Sequence, residues 1–334
     1  MKNTEGKMAL SFAVMAAVII IFAGLDSRGI LTLASIGDEV VIEMVDLAGE
    51  EDAANHLLRL DAEELNEKNI TITNNYRENT LIIEINGTGG EYFLKHPLAG
   101  NSDHIYGLWY GVTKKGFEFD VELDDLYEFK GTMRDGYYYI DFADPHEIYD
   151  KVVVVDPGHG GASSPGTVRQ GVLEADVTLA IGLKLCEFFE ADESVGIYIT
   201  RADDTDTELE ERVAMANKLG ADAFVSIHCN STTSGNMDSV SGTEVLYQTT
   251  DESGSSLELA QILASHVADT FETENRGVIN GDEIKIIRTS KVPVALVEVG
   301  FMSNVTELGK LTDDKYQSLA AEGIYDGIME FLEE

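Results

Sequence analysis

The chain has 334 residues, 44% hydrophobic and 25% charged, enough for a full core and for more than one domain. Its 61 acidic and 23 basic residues leave a formal net charge of −38. That field repels phosphate backbones and excludes nucleic acid as a natural partner. It also keeps the protein off anionic membranes and wall polymers unless a separate tether holds it there. Two cysteines, Cys186 and Cys229, exclude a disulfide framework and a thiolate metal cluster.

The first predicted element is N-terminal. Lys2 and Lys7 precede an uncharged apolar run, "MALSFAVMAAVIIIFAGL", from Met8 to Leu25. A basic start followed by such a run addresses a chain to a membrane. The run is long for the core of a signal peptide and just long enough to span a bilayer. "TLA" at Thr32–Ala34 offers only a late small-residue cleavage site. Residues 1–35 are therefore expected to be an uncleaved anchor, with a cleaved signal peptide as the alternative. Positive charge stays cytoplasmic, so the body is expected to be extracytoplasmic, at the membrane or wall.

Residues 36–150 predict a small β-rich domain. "LIIEI" (Leu81–Ile85), "HIYGLWYGV" (His104–Val112), "FEFDVEL" (Phe117–Leu123) and "GYYYIDF" (Gly136–Phe142) are rich in β-branched and aromatic residues. Turn chemistry at Asn86–Gly90 and Arg134–Gly136 separates them. One helical patch is expected near residues 53–68, and Asp144–Lys151 reads as the junction.

From Lys151 the pattern becomes strand and helix in alternation. Strands are predicted at "VVVV", Val195–Thr200, Ala223–Ile227, Thr243–Tyr247 and Val294–Val299. Between them lie helices at Glu174–Phe189, Glu208–Gly220, Ser256–Phe271 and Tyr316–Glu333. The first places Val177, Ile181, Leu185 and Phe188 on one face. Near-continuous apolar strands between helices predict an α/β fold for residues 151–334, a mostly parallel sheet with helices on both faces.

Sites in such sheets gather beyond the carboxyl ends of the strands. "VVVVDPGH" ends at His159, "AFVSIH" at His228 and "PVALVE" at Glu298, while Glu174 opens a helix. Two imidazoles and a carboxylate are a zinc set with one position left for water. A second carboxylate can move protons for that water. Each piece alone has a plain reading: a strand-terminal histidine is more often structural, and Glu174 could simply complement the helix dipole. Glu298, in an otherwise apolar strand, is harder to explain away. The remaining histidines, His56, His96, His104, His146 and His266, read as solvated or core residues.

These stretches also carry a resemblance. "VVVVDPGHGG", "GVLEADVTLAIGLKL", "YITRADD", "LEERVAMANKLGADAFVSIHCNS" and "PVALVEVGFMSNVTELGKL" are similar, in order, to the zinc-dependent N-acetylmuramoyl-L-alanine amidases of the family-3 type. The resemblance spans nearly all of Lys151–Glu334. It implies hydrolysis of the amide joining N-acetylmuramic acid to L-alanine of the peptidoglycan stem. It implies one zinc on His159, Glu174 and His228, with Glu298 as the catalytic glutamate. Asn230 and Arg288, which both follow apolar strand-like segments, are weaker candidates for substrate contacts, and Arg201 and Arg212 read as structural ion pairs. Cys229 follows a ligand position, but its side chain should point to the opposite face of its strand. Some relatives insert a regulatory helix before the final glutamate; this chain leaves little room for one, and no activator protein is evident. The β-rich region resembles AMIN-type wall-targeting modules, with a plain spacer as the alternative. Two other functional readings stay open: a zinc peptidase cutting within the stem, and an inert wall-binding adaptor.

Overall fold

The computed structural model describes residues 30–33, 42–47, 55–63, 65–89, 92–93, 95–190, 192–233 and 236–333. The expected membrane segment, Met8–Leu25, lies outside the described residues. Among the described residues no helix is long and apolar enough to cross a membrane. Contacts divide the chain into two units, Met1–Ala143 and Asp144–Glu334.

The first unit is built of strands β1 (Ile30–Leu33), β2 (Ile42–Asp46), β3 (His56–Asp61), β4 (Ile70–Asn75), β5 (Thr80–Asn86), β6 (Leu98–Gly100), β7 (Ile105–Val112), β8 (Gly116–Leu123), β9 (Glu128–Arg134) and β10 (Tyr137–Ala143). They form a six-stranded sheet, β1-β2-β6-β3-β10-β9, and a four-stranded sheet, β4-β5-β8-β7. Alternate residues bury one face of each. Leu81, Ile83 and Ile85 of β5 meet Phe117, Phe119 and Val121 of β8 and Leu58, Leu60 and Ile140 of the larger sheet in one core. Each such side chain contributes about 1.5–3 kcal/mol of burial.

The helix expected at residues 53–68 is corrected here. His56–Asp61 is a strand, paired antiparallel to β10 with Leu58 beside Ile140 and Leu60 beside Tyr138. Helix-favouring Leu and Glu are outweighed because Leu58 and Leu60, two apart, enter the core together. The two units part between Ala143 and Asp144, at the start of the expected junction. Asp144 caps helix α1 (Pro145–Ile148), accepting from the His146 amide at 2.8 Å. His146 Nε2 lies 3.2 Å from the carbonyl oxygens of Leu219 and Gly220, so this stretch belongs to the second unit.

In the second unit, strands β11 (Lys151–Pro157), β14 (Val195–Ile199), β15 (Ala223–Asn230), β16 (Thr243–Tyr247), β17 (Asn275–Asn280) and β18 (Val294–Phe301) form one sheet. A short hairpin, β12 (Val168–Arg169) with β13 (Val172–Leu173), stands apart from it. The sheet order is β14-β11-β15-β18-β16-β17. All neighbours are parallel except β16, which runs against β18. Helices α2 (Glu174–Phe189), α4 (Ser255–Thr270) and α7 (Asp314–Glu333) pack together on one face. They bury Val153, Val155, Val225, Ile227, Val297 and Val299. Helix α3 (Leu209–Lys218) packs on β11, and the short helix α5 (Lys285–Thr289) packs on α3 and β18. A further short helix, α6 (Val305–Leu311), follows β18.

Strand alternation sorts the site. Val225, Ile227 and Cys229 join the α2/α4/α7 core, so Ser226 and His228 face the other way. By the same parity Glu298 faces away from Val297 and Val299.

Candidate active site

Beyond Pro157 the chain enters left-handed conformations, with φ of 64° at His159, 133° at Gly160 and 67° at Gly161. A side chain on Gly158 would put its Cβ 2.3 Å from His228 Nε2; one on Gly166 would meet Glu174 Oε2 and His159 Cδ2 at 2.7 Å. These glycines are empty space that the site needs. The strained turn is held from below by two buried arginines. Arg212 donates from Nη1 to Asp156 Oδ1 (2.7 Å) and Pro157 O (2.8 Å), from Nη2 to His159 O (2.6 Å) and from Nε to Thr207 O (2.9 Å). Arg201 donates to Pro157 O, Gly158 O and Ala175 O at 2.8–2.9 Å. Arg212 is thus an ion pair as expected, whereas Arg201 serves backbone carbonyls.

Asp156 anchors this framework and was not anticipated. Burial alone would raise its pKa; the Arg212 charge and hydrogen bonds from Ser226 and Thr200 outweigh it and lower the pKa.

The turn, the start of α2 and the end of β15 bring three expected residues together. Glu174 Oε1 lies 3.1 Å from His159 Nε2 and 3.0 Å from His228 Nδ1. One ligand atom from each lies within 4.8 Å of the others. Two donors sharing one tetrahedral zinc at about 2.0–2.1 Å lie about 3.3 Å apart, so the set fits such an ion. Glu174 is buried, and its carboxylate accepts from the amides of Thr167 (2.8 Å) and Cys229 (3.1 Å). Burial pushes its pKa up, but hydrogen bonds from both histidines hold it well below the usual carboxylate range. His228 is shifted the opposite way: burial lowers its pKa, and the bond to Glu174 more than restores it.

Glu298 stands in register beside His228 on the neighbouring strand. Its Oε2 is buried with no hydrogen-bond partner among the described residues. Burial, with lesser contributions from Glu174 and Glu244, pushes its pKa up to about 7 against the attraction of His228. Glu244, on antiparallel β16, flanks Glu298 from the other side. It escaped the sequence because "TEVLY" gives no sign of which strand it will border. Asn230 lines the same cavity and donates to Glu244 Oε2 at 3.4 Å.

Arg288 is a correction. Lys285–Thr289 forms helix α5 rather than a strand, burying Ile286 and Ile287. Arg288 is exposed, donates to the carbonyls of Asp282 and Glu283 at 3.1 Å, and is not among the cavity-lining residues. Cys229 is buried in the helix-covered core, its thiol pKa raised well above the ordinary value by burial. The other histidines pair elsewhere, as His56 with Asp141 (2.6 Å), His96 with Asp61 (3.1 Å) and His266 with Glu330 (2.7 Å).

The site opens into a cavity of about 780 Å³ that includes His159, Glu174, His228 and Glu298. Residues 153–330 match the model of the N-acetylmuramoyl-L-alanine amidase family. The chain belongs to that family. It is 37% identical over 187 residues to the uncharacterized protein YqiI of Bacillus subtilis, covering 56% of this chain and 87% of that one. It also resembles the solved N-acetylmuramoyl-L-alanine amidase of Clostridium difficile 630, with a TM-score of 0.52, 33% identity and coverage of 55% and 97%. The CwlD amidase of Clostridioides difficile, solved in complex with the GerS lipoprotein, gives a TM-score of 0.51, 30% identity and coverage of 55% and 98%. All three likenesses span about half of this chain. As an amidase of this family the protein is a peptidoglycan hydrolase, and the matched residues lie within its second unit.

Proposed function

We propose that the protein is a zinc-dependent N-acetylmuramoyl-L-alanine amidase, tethered by Met8–Leu25 and working on the wall outside the cytoplasm. The observation that carries the chemistry is the meeting of His159, Glu174 and His228 beside an unpartnered buried oxygen of Glu298. A zinc ion bound there would lower the pKa of a water towards about 7 and polarise a carbonyl.

The protein's own residues do the rest. Glu174 is aligned by two backbone amides, and His159 by a turn that Arg201 and Arg212 hold. Glu298, whose bare Oε2 lies beside His228, accepts a proton from the attacking water. The carbonyl carbon gains an oxygen and the C–N bond breaks. Glu298 then returns the proton to the departing alanine nitrogen, leaving a lactyl carboxylate and a free amine. Asn230 and Glu244 lie beside it as a polar wall against which the substrate amide is steadied.

We further propose that residues 36–143 hold the enzyme to the wall and that catalysis needs no separate activator. The interval between β15 and β18 supports the latter, since its one long helix, α4, is a core element. The lipoprotein complex of CwlD is the contrary precedent. The deciding experiment is digestion of purified sacculi before chelation, after it and after zinc is restored, with products read by mass spectrometry. Intact stem peptides with a free N-terminal alanine, lost on chelation and regained with zinc, are expected. Cuts within the stem would instead identify a peptidase, and binding without release an inert adaptor.

A further inference from the structure

The cavity wall is chemically one-sided. Leu209, Ile284, Ile286 and Leu296 make its apolar part, while Asp206 and Glu208 stand exposed at its mouth. Asp206 is fixed against the His159 turn: its carboxylate accepts from the Ser163 hydroxyl, and its Cβ lies where a side chain on Gly161 would go.

Among the described lining residues no free cation answers these two charges, and Lys285, next to Ile284 and Ile286, is paired with Glu210. Arg212 is the one guanidinium or ammonium among the described lining residues, and its Nε and both terminal nitrogens are already bonded to Asp156 and three carbonyls. The start of α3, whose dipole would welcome an anion, is filled by Glu208, Glu210 and Glu211. A dication held by the three donors would be balanced by Glu174 and Glu298. A free carboxylate arriving at this mouth meets like charge and no spare donor cation, whereas a primary amide loses nothing there and can donate to Asp206 or Glu208.

We infer that the cleft selects stem peptides in which the residue following the alanine carries a primary amide in place of a free carboxylate. This specificity rests on the amidase reading above, because that residue lies one peptide unit beyond the bond to be cut.

The test compares kcat/KM of the full, zinc-loaded chain on two glycan-linked muropeptides that differ only in that amide or carboxylate. The amidated substrate should be preferred by about tenfold at low salt, the scale expected for like charges a few ångströms apart at a protein surface. The preference should shrink in high salt, since exposed charges are screened. Asp206→Asn with Glu208→Gln should bring the two substrates within about twofold, chiefly by accelerating the acidic one. Equal rates on both, or a preference for the free carboxylate, would overturn the inference while leaving the amidase standing. Cleavage of neither substrate, with sacculi also untouched, would overturn both.

Discussion

His228 and Glu298 are register partners on adjacent parallel strands, so their side chains leave the sheet side by side on the same face. One completes the donor set with His159 and Glu174; the other keeps a bare buried oxygen. The division of labour makes a first prediction. Glu298→Gln should lower turnover on sacculi by about 10²- to 10⁴-fold, while zinc content, read by mass spectrometry of the metal, stays near one per chain. His228→Ala should lose metal and activity together. A Glu298→Gln protein with near-normal hydrolysis would refute the assigned role.

The raised pKa of Glu298 has a stability consequence. In the metal-free protein its folded value of about 7 lies above the ordinary carboxylate value. Protonation therefore supports folding fully at acid pH, and that support is lost as pH rises through about 7. Metal-free Glu298→Gln should match the parent near pH 4 and exceed it above pH 7, by on the order of 2–3 kcal/mol. Urea melts at the two pH values check the sign. Glu244→Gln should reduce the gap, because it removes one of the neighbouring charges that raise Glu298.

Gly158→Ala is expected to damage the centre without touching a ligand. The new methyl would sit 2.3 Å from His228 Nε2, so the ring must move. Zinc affinity should fall by about 10- to 100-fold, in the range seen when the support of a metal ligand is lost. Titration against a competing chelator measures it. Unchanged affinity would show that the ring has room that the backbone here denies it.

Arg212→Met should destabilise the catalytic unit by about 3–5 kcal/mol, because it strands the buried Asp156 charge. Asp156 has a lowered pKa, so its contribution is complete above the ordinary carboxylate value and fades as pH falls through the lowered one. The variant should therefore lose less stability than the parent on acidification from pH 5 to pH 3. Denaturant midpoints at both pH values test this.

Much of the site was legible before any coordinates. His159, His228 and Glu298 end or nearly end apolar strands, and such ends gather on one rim. Asn230 follows from the same logic. What escaped depended on long-range pairing. Glu244 borders Glu298 only because β16 runs against β18, and nothing local to "TEVLY" encodes that. Arg288 was misplaced because "KIIR" reads as a strand by composition, yet its two adjacent isoleucines are both buried in a single helical turn. The segment at His56–Asp61 failed for the opposite reason, as helix-favouring residues yielded to a sheet that needed Leu58 and Leu60. Arg201 looked like one half of an ion pair and turned out to serve carbonyl oxygens.

The paired arginines beneath the His159 turn have one more consequence. Their bonds to main-chain oxygens tie the turn that presents His159 to side chains of the catalytic unit's own core, unlike small domains whose folding waits for metal. The scaffold is thus finished before it is armed, and stripping and reloading should cycle the enzyme off and on without a refolding step.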